Sequence, residues 1–201
     1  FAGAMMQSAV DSLILTRAVA AFEELPGRGA VVAAGPVSTL GQSLGGLIGV
    51  LAASVNPDVG AVAMNVTGMG LGNVLRSGTV VDALGLRQGL EFAAAAAPPA
   101  DLPVDLAYDL LLVMAQIGLD AGDSGAFAPH LLDRWPEAGT APGLLLQESM
   151  GDGVMPNYTT EALARTIGLP LRATRGPPAR RPGPGRVTHL RGACLGPDAV
   201  P

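Results

Sequence analysis

Apolar and polar positions follow two rhythms along this chain. Between residues 6 and 25, Met6, Val10, Leu13, Ile14, Ala18, Phe22 and Leu25 recur at helical spacing with Asp11, Arg17 and Glu24 off the stripe. That pattern predicts an amphipathic helix packed on a neighbour. The PGRGA segment at 26–30 ends it. Residues 37–40 then predict a short buried strand, 44–54 an apolar helix, and 59–66, after the NPDVG turn, a second strand. Strand, turn, helix, loop, strand is a βαβ unit. Its two strands are expected to be parallel, covered on both faces and therefore continuously apolar.

From 69 to 142 the chain becomes rich in glycine and alanine, with helical pieces at EFAAAAA (91–97) and DLAYDLLLVMAQIGL (105–119). This predicts a helical insertion between two strands of the sheet, with PPADLP (98–103) as a hinge-like break. A third buried strand is expected at 143–149, then a loop and a helix through TTEALARTIG. Thr159 or Asn157 is expected to cap that helix, Glu161 to sit in its first turn, and Gly168 and Pro170 to stop it. Beyond Leu171 the segment 172–186 is dominated by Pro, Gly and Arg and predicts a flexible tail. The expected division is 1–68 for the first helix and the βαβ unit, 69–142 for the insertion, 143–171 for the last core strand, loop and helix, and 172–201 for the tail.

Composition narrows the function. The 201 residues suffice for one domain, and 49% apolar against 14% charged residues with a mean hydropathy of +0.40 exclude disorder of the whole chain. With only 3% aromatic residues the core must be aliphatic. A net charge of -5 argues against a nucleic-acid partner, which needs a basic face to displace counterions. The single cysteine, Cys194, excludes an internal disulfide framework and any multi-cysteine metal site. No apolar run reaches the ~18 residues that suggest a bilayer-spanning helix, so no transmembrane segment and a soluble protein are expected. Phe1 falls in what reads as mid-domain sequence, which leaves a start methionine, any signal peptide and the compartment to the sequence upstream.

The chemistry concentrates at GQSLG, 41–45. A serine hydroxyl needs a base, a group that orients the base, and donors for the oxyanion. GxSxG between a strand and a helix forces a strained turn that exposes the serine oxygen, and Gly41 and Gly45 are expected to remove side chains that would clash with neighbouring backbone. With 28 glycines in the chain the pentapeptide alone is weak. Its place between a strand-like run and an apolar helix is the context the motif requires.

GQSLGG, a strand into NVTG, and GDGVMP after a further strand together resemble the α/β-hydrolase superfamily, particularly bacterial esterase and lipase-like members, over roughly residues 6–171. The resemblance implies a partial α/β-hydrolase parallel sheet with a helical lid insertion and its first strands missing. It also implies a serine hydrolase of carboxylic esters that needs no cofactor and no metal, with a small-molecule or lipid-like ester as partner. Ser43 matches the nucleophile and the Leu44 backbone N–H one oxyanion donor. Asp152, with Pro156 four residues on, matches the acid; otherwise it is an ordinary turn aspartate. The order Ser, Asp, His leaves His189, in RVTHLRG, as base or as a tail residue without a role. His130 precedes the acid and reads as a lid or helix residue. The alternative function is a catalytically silent or truncated hydrolase-fold protein. A dinucleotide site at GMGLGN (68–73) fails at Asn73, and a phosphate loop lacks its lysine. The acyl and alcohol groups and the oligomeric state stay open.

Overall fold

The computed structural model describes residues 1–20, 35–77, 79, 82, 85–96, 103–173 and 188–193. The aliphatic runs on either side of the glycine turn form strands β1 (Val37–Gln42) and β2 (Val59–Asn65), joined by helix α2 (Leu44–Val55). They pair in parallel, with Gln42 opposite Asn65. β3 (Gly143–Met150) pairs in parallel with β2, and the short strands β4 (Leu171–Ala173) and β5 (Thr188–Ala193) complete a five-stranded sheet in the order β1-β2-β3-β5-β4. The expected mixed α/β fold with a parallel sheet is therefore present.

α1 (Ala2–Ala20) packs on α2, but not with the predicted stripe. Met5 and Ala9 join Leu47, Leu51 and Ala52 in one buried cluster, while Met6, Val10 and Ile14 are about half exposed. Apolar residues stand on both sides of this helix, so periodicity could not choose the inner face. The residues expected to end it, 26–30, lie outside the described ones.

β1 also departs from expectation. Its residues alternate between half-buried and exposed, and Leu40 is 78% exposed. The reason is position: among the described residues β1 has a neighbour only in β2, so it is an edge strand. β2 and β3 are interior and carry the core. Val62, Met64, Leu144 and Leu146 meet Val50 and Ala53 of α2 and Leu163, Ala164 and Ile167 of α7 (Asn157–Ile167). This buried cluster is wholly aliphatic, with only Met69 and Phe127 packed at its border.

The insertion between β2 and β3 is helical, as expected: α3 (Leu71–Ser77), α4 (Leu86–Ala96), α5 (Val104–Leu119) and the short α6 (Ser124–Phe127). Most of the proposed break at 98–103 lies outside the described residues. Buried Asp123 ties the insertion to the end of β2, its carboxylate accepting from the backbone N–H groups of Gly70, Leu71 and Gly125 and from Gln116 Nε2. This accounts for the glycine-rich GMGLGN segment, whose N–H groups face a carboxylate of the chain itself.

Two expectations at the C-terminal end are corrected. The residue before α7 is Pro156, and neither Asn157 nor Thr159 acts as a side-chain cap; Glu161 lies beyond the first turn and pairs with Arg165. Gly168, at φ 87°, closes the helix as predicted. The segment after 171 is not tail throughout, because Thr188–Ala193 inserts between β3 and β4; its β-branched Thr188 and the absence of proline suit a strand better than the Pro-rich stretch before it. Residues 174–187 and 194–201 lie outside the described ones. Among the described residues no helix is long and apolar enough to cross a membrane.

Candidate active site

Ser43 sits where β1 turns into α2, with φ 51° and ψ -117°. A non-glycine residue in that region is strained, and such strain persists only where its surroundings hold it. Three backbone bonds do so. The Ser43 N–H donates to the Asn65 carbonyl at 2.9 Å, and the Ser43 carbonyl accepts from Gly46 and Leu47. The side chain is half-buried and makes no capping bond to its helix.

The two motif glycines play different parts. A Cβ on Gly41 would stand 2.3 Å from the Gly45 carbonyl oxygen and 2.7 Å from the Gly46 nitrogen, so the turn closes only over glycine at 41. A Cβ on Gly45 would meet nothing within 4 Å. The expected clash at Gly45 is therefore absent, and the second indispensable glycine is Gly46, where a Cβ would stand 2.6 Å from Thr67 Cβ. Leu44 opens α2. As the first helical residue it has no intrahelical acceptor for its N–H, which points outward at the positive end of the helix dipole.

Asp152 lies in the loop after β3, beyond the same carboxyl edge of the sheet as Ser43. Gln42, Asn65 and Gln147 form one row across β1, β2 and β3, which puts the two loops two strands apart, about 10 Å at ordinary strand spacing. Asp152 Oδ1 accepts from the Val154 and Met155 N–H groups at 2.8 and 3.0 Å. One oxygen thus shapes the loop and leaves Oδ2 for a partner. Asn157, read from sequence as a cap, instead staples the loop: its Oδ1 accepts from Gly151 N–H and its Nδ2 donates to the Ser149 carbonyl.

His189 follows Asp152 in the chain. Its backbone lies within β5, opposite Leu146 of β3 and Leu171 of β4, one row short of Leu190 and Gln147. β5 is three strands from β1, about 14 Å across the sheet. His130 stacks on Trp135 with ring centroids 3.7 Å apart and its Nδ1 meets the Asp133 carbonyl, so its surroundings explain it without catalysis.

Two clefts flank this arrangement, and neither is lined by Ser43 or Asp152. One of about 460 Å³ lies in the insertion, between α3 and α5, with Arg76 and Asp109 at its rim. The other, about 300 Å³, runs along β1 past Gly41 and Gly45 to Thr16 and Ile48. Among the described residues no group of His, Cys, Asp and Glu could hold a metal ion.

No family model matches the chain, and no curated protein does. Solved structures do. The protein Rv0554 from Mycobacterium tuberculosis is similar over 79% of this chain and 57% of its own, at 13% identity and a TM-score of 0.37. A candidate lipase, lip1 from Acinetobacter baumannii AYE, is similar over 78% of this chain and 53% of its own, at 16% identity and a TM-score of 0.35. The chain thus spans little more than half the length of either. The mixed α/β fold itself rests on the strand order and pairing described above.

Sequence reasoning missed several residues that organise the site. Asp123 and Thr67 gave no signal because their role depends on segments far apart in sequence. Arg134 donates to the carbonyls of Ala53 and Asn56 at the end of α2, and to Ala138, while burial pushes its pKa below the ordinary arginine value. Nothing in the DRWPE stretch predicts that reach across about 80 residues.

Proposed function

We propose that this chain carries the nucleophile and acid loops of a serine hydrolase acting on carboxylic esters. The observation that carries the reading is the backbone of Ser43, at φ 51° and ψ -117° on a strand-to-helix turn that closes over Gly41. Ser43 Oγ attacks the ester carbonyl and the Leu44 N–H donates to the oxyanion. Asp152, through its second carboxylate oxygen, orients the base that takes the serine proton and returns it to the leaving alcohol. His189 is the histidine that follows Asp152 in the chain and is the assigned base, although that role requires its segment to reach the elbow. The insertion presents Phe92, Leu110, Val113, Met114 and Ile117 to solvent, which favours apolar acyl groups. An acyl-length series without preference for longer chains would count against this last step.

A second reading has its own support. The row of His189 inside β5 favours a hydrolase-fold protein without turnover. Treatment with a fluorophosphonate, whose phosphorus is attacked by an activated serine with loss of fluoride, separates the two. A Ser43 adduct lost in Ser43→Ala, Asp152→Asn and His189→Ala establishes the triad, and an adduct retained in His189→Ala removes that histidine from it. A folded protein that forms no adduct belongs to the second reading.

A further inference from the structure

Beside the elbow, residues 65–71 form a segment in which almost every residue is held by a different part of the molecule. Asn65 gives its carbonyl to Ser43 N–H, and Val66 donates its N–H to Gln147 at 2.9 Å. Gly68 offers its carbonyl to Ser124 Oγ at 2.6 Å and lies so close to α7 that a Cβ there would stand 2.2 Å from Thr159 Oγ1. Met69 N–H bonds the Thr159 carbonyl, and Asp123 holds Gly70 and Leu71.

Inside this clamp Val66 has φ 43°, a conformation that a β-branched residue rarely adopts. Only Val66 and Ser43 among the described non-glycine residues have positive φ, and they follow directly on paired residues, Asn65 and Gln42, at adjacent strand ends. The left-handed turn at Val66 is followed at once by Thr67, which is fully buried. Its Cβ, Cγ2 and Oγ1 would stand 2.6, 2.8 and 2.9 Å from a Cβ on Gly46, so its side chain lies against the first turn of α2. That is the turn whose Gly46 and Leu47 N–H groups hold the Ser43 carbonyl. The Thr67 hydroxyl has no hydrogen-bond partner among the described residues, so its contact with the elbow is steric.

From this we infer that Thr67, brought in by the strained Val66, is a positioning residue for Ser43: a wedge against the first turn of α2 that fixes where the nucleophile stands. The inference rests on the hydrolase reading for its catalytic meaning, but the mechanical coupling stands apart from it. Shape rather than hydrogen bonding does the positioning, so valine, of nearly the same shape, should replace threonine while alanine should not. Val66→Gly relieves the left-handed strain and should leave the turn, and with it the wedge, in place.

Two readouts on the full chain test it. The first is amide hydrogen exchange in the peptide covering residues 41–50, compared with that covering β2, which reports local opening. Thr67→Ala is expected to speed exchange at Ser43, Gly46 and Leu47 by about tenfold while β2 stays protected, and Thr67→Val and Val66→Gly to keep about the wild-type rate. Uniform acceleration across both peptides, or none in either, overturns the wedge. The second is fluorophosphonate phosphonylation of Ser43 resolved into reversible binding and the bond-forming rate. Thr67→Ala is expected to lower the bond-forming rate at least about tenfold with binding unchanged. An unchanged bond-forming rate in folded Thr67→Ala overturns the positioning role. Absence of phosphonylation in the wild type would instead sink the hydrolase reading, and the exchange result would still decide on the wedge.

Discussion

Gly41 and Gly45 face each other across the turn that carries Ser43, with space at Gly41 for no atom beyond hydrogen. A Cβ there would stand 2.3 Å from the Gly45 carbonyl oxygen, and the obstacle is backbone, which cannot rotate away. Gly41→Ala is therefore expected to destabilise the fold by about 3 kcal/mol or more. Gly45→Ala, in open space on α2, is expected to stabilise it by up to about 1 kcal/mol through helix propensity. Urea denaturation of the two variants gives opposite signs if the turn is closed as described. Equal effects would mean that the turn opens in solution.

Strain at Ser43 makes a second prediction about stability. At φ 51° and ψ -117° a side chain costs about 1 to 3 kcal/mol, and glycine escapes that cost while losing about 1 kcal/mol of chain entropy. Ser43→Gly is expected to be more stable than Ser43→Ala, which keeps the strain and loses the hydroxyl. The comparison is made by chemical denaturation at matched buffer. An alanine variant as stable as the glycine one would show that the turn relaxes.

Those two residues also mark how far the sequence carries. The turn was legible because its determinants are local: a glycine two residues before the serine, a strand before and an apolar helix after. The βαβ order and β3 were legible for the same reason, since continuous aliphatic runs between turn residues leave few alternatives. The inner face of α1 was not, because Met5 and Met6, or Leu13, Ile14 and Leu15, offer apolar atoms on every side of the helix. The edge position of β1 depends on what else pairs with it, which periodicity does not encode. Asp123 and Thr67 were hidden for a third reason. Each acts on a segment tens of residues away, Asp123 through backbone N–H groups that any sequence would present and Thr67 by close packing on Gly46.

Asp123 accepts from three backbone N–H groups and from Gln116 while only 2% exposed. Its replacement by alanine leaves several buried donors unsatisfied, at roughly 1 to 3 kcal/mol each before relaxation. Asp123→Ala is expected to lose about 3 to 5 kcal/mol, and limited proteolysis should then cut first in the insertion, which this carboxylate ties to β2. Cleavage elsewhere would show that the insertion has another anchor.

Arg134 closes the far end of the elbow helix. Its Nη1 and Nη2 donate to Ala53 and Asn56 at 2.8 and 2.9 Å, and burial lowers its pKa from the ordinary value. A lowered pKa in a cation means that the fold penalises the charge, and the penalty is present wherever the group is protonated. An arginine stays protonated across the accessible range, so this group is expected to contribute no slope to stability between about pH 5 and pH 9. Arg134→Met is expected to cost about 2 kcal/mol in thermal melts at every pH in that window. Arg134→Lys is expected to recover only part of it, because an ammonium cannot match the planar fork.

Asp152 separates fold from function most directly. Its Oδ1 accepts from Val154 and Met155 N–H, which an asparagine carbonyl oxygen can also do, whereas a base held by the other oxygen needs a carboxylate. Asp152→Asn is therefore expected to melt within about 0.5 kcal/mol of the wild type and to acylate Ser43 up to about 10,000-fold more slowly. Asp152→Ala removes the turn as well and is expected to lose about 1 to 2 kcal/mol in addition. Were Asp152→Asn to acylate at the wild-type rate, this aspartate would be a turn residue alone, and the acid of any triad would have to come from another strand end. Were it to melt as early as Asp152→Ala, the loss of acylation would report a broken loop and carry no information about a base.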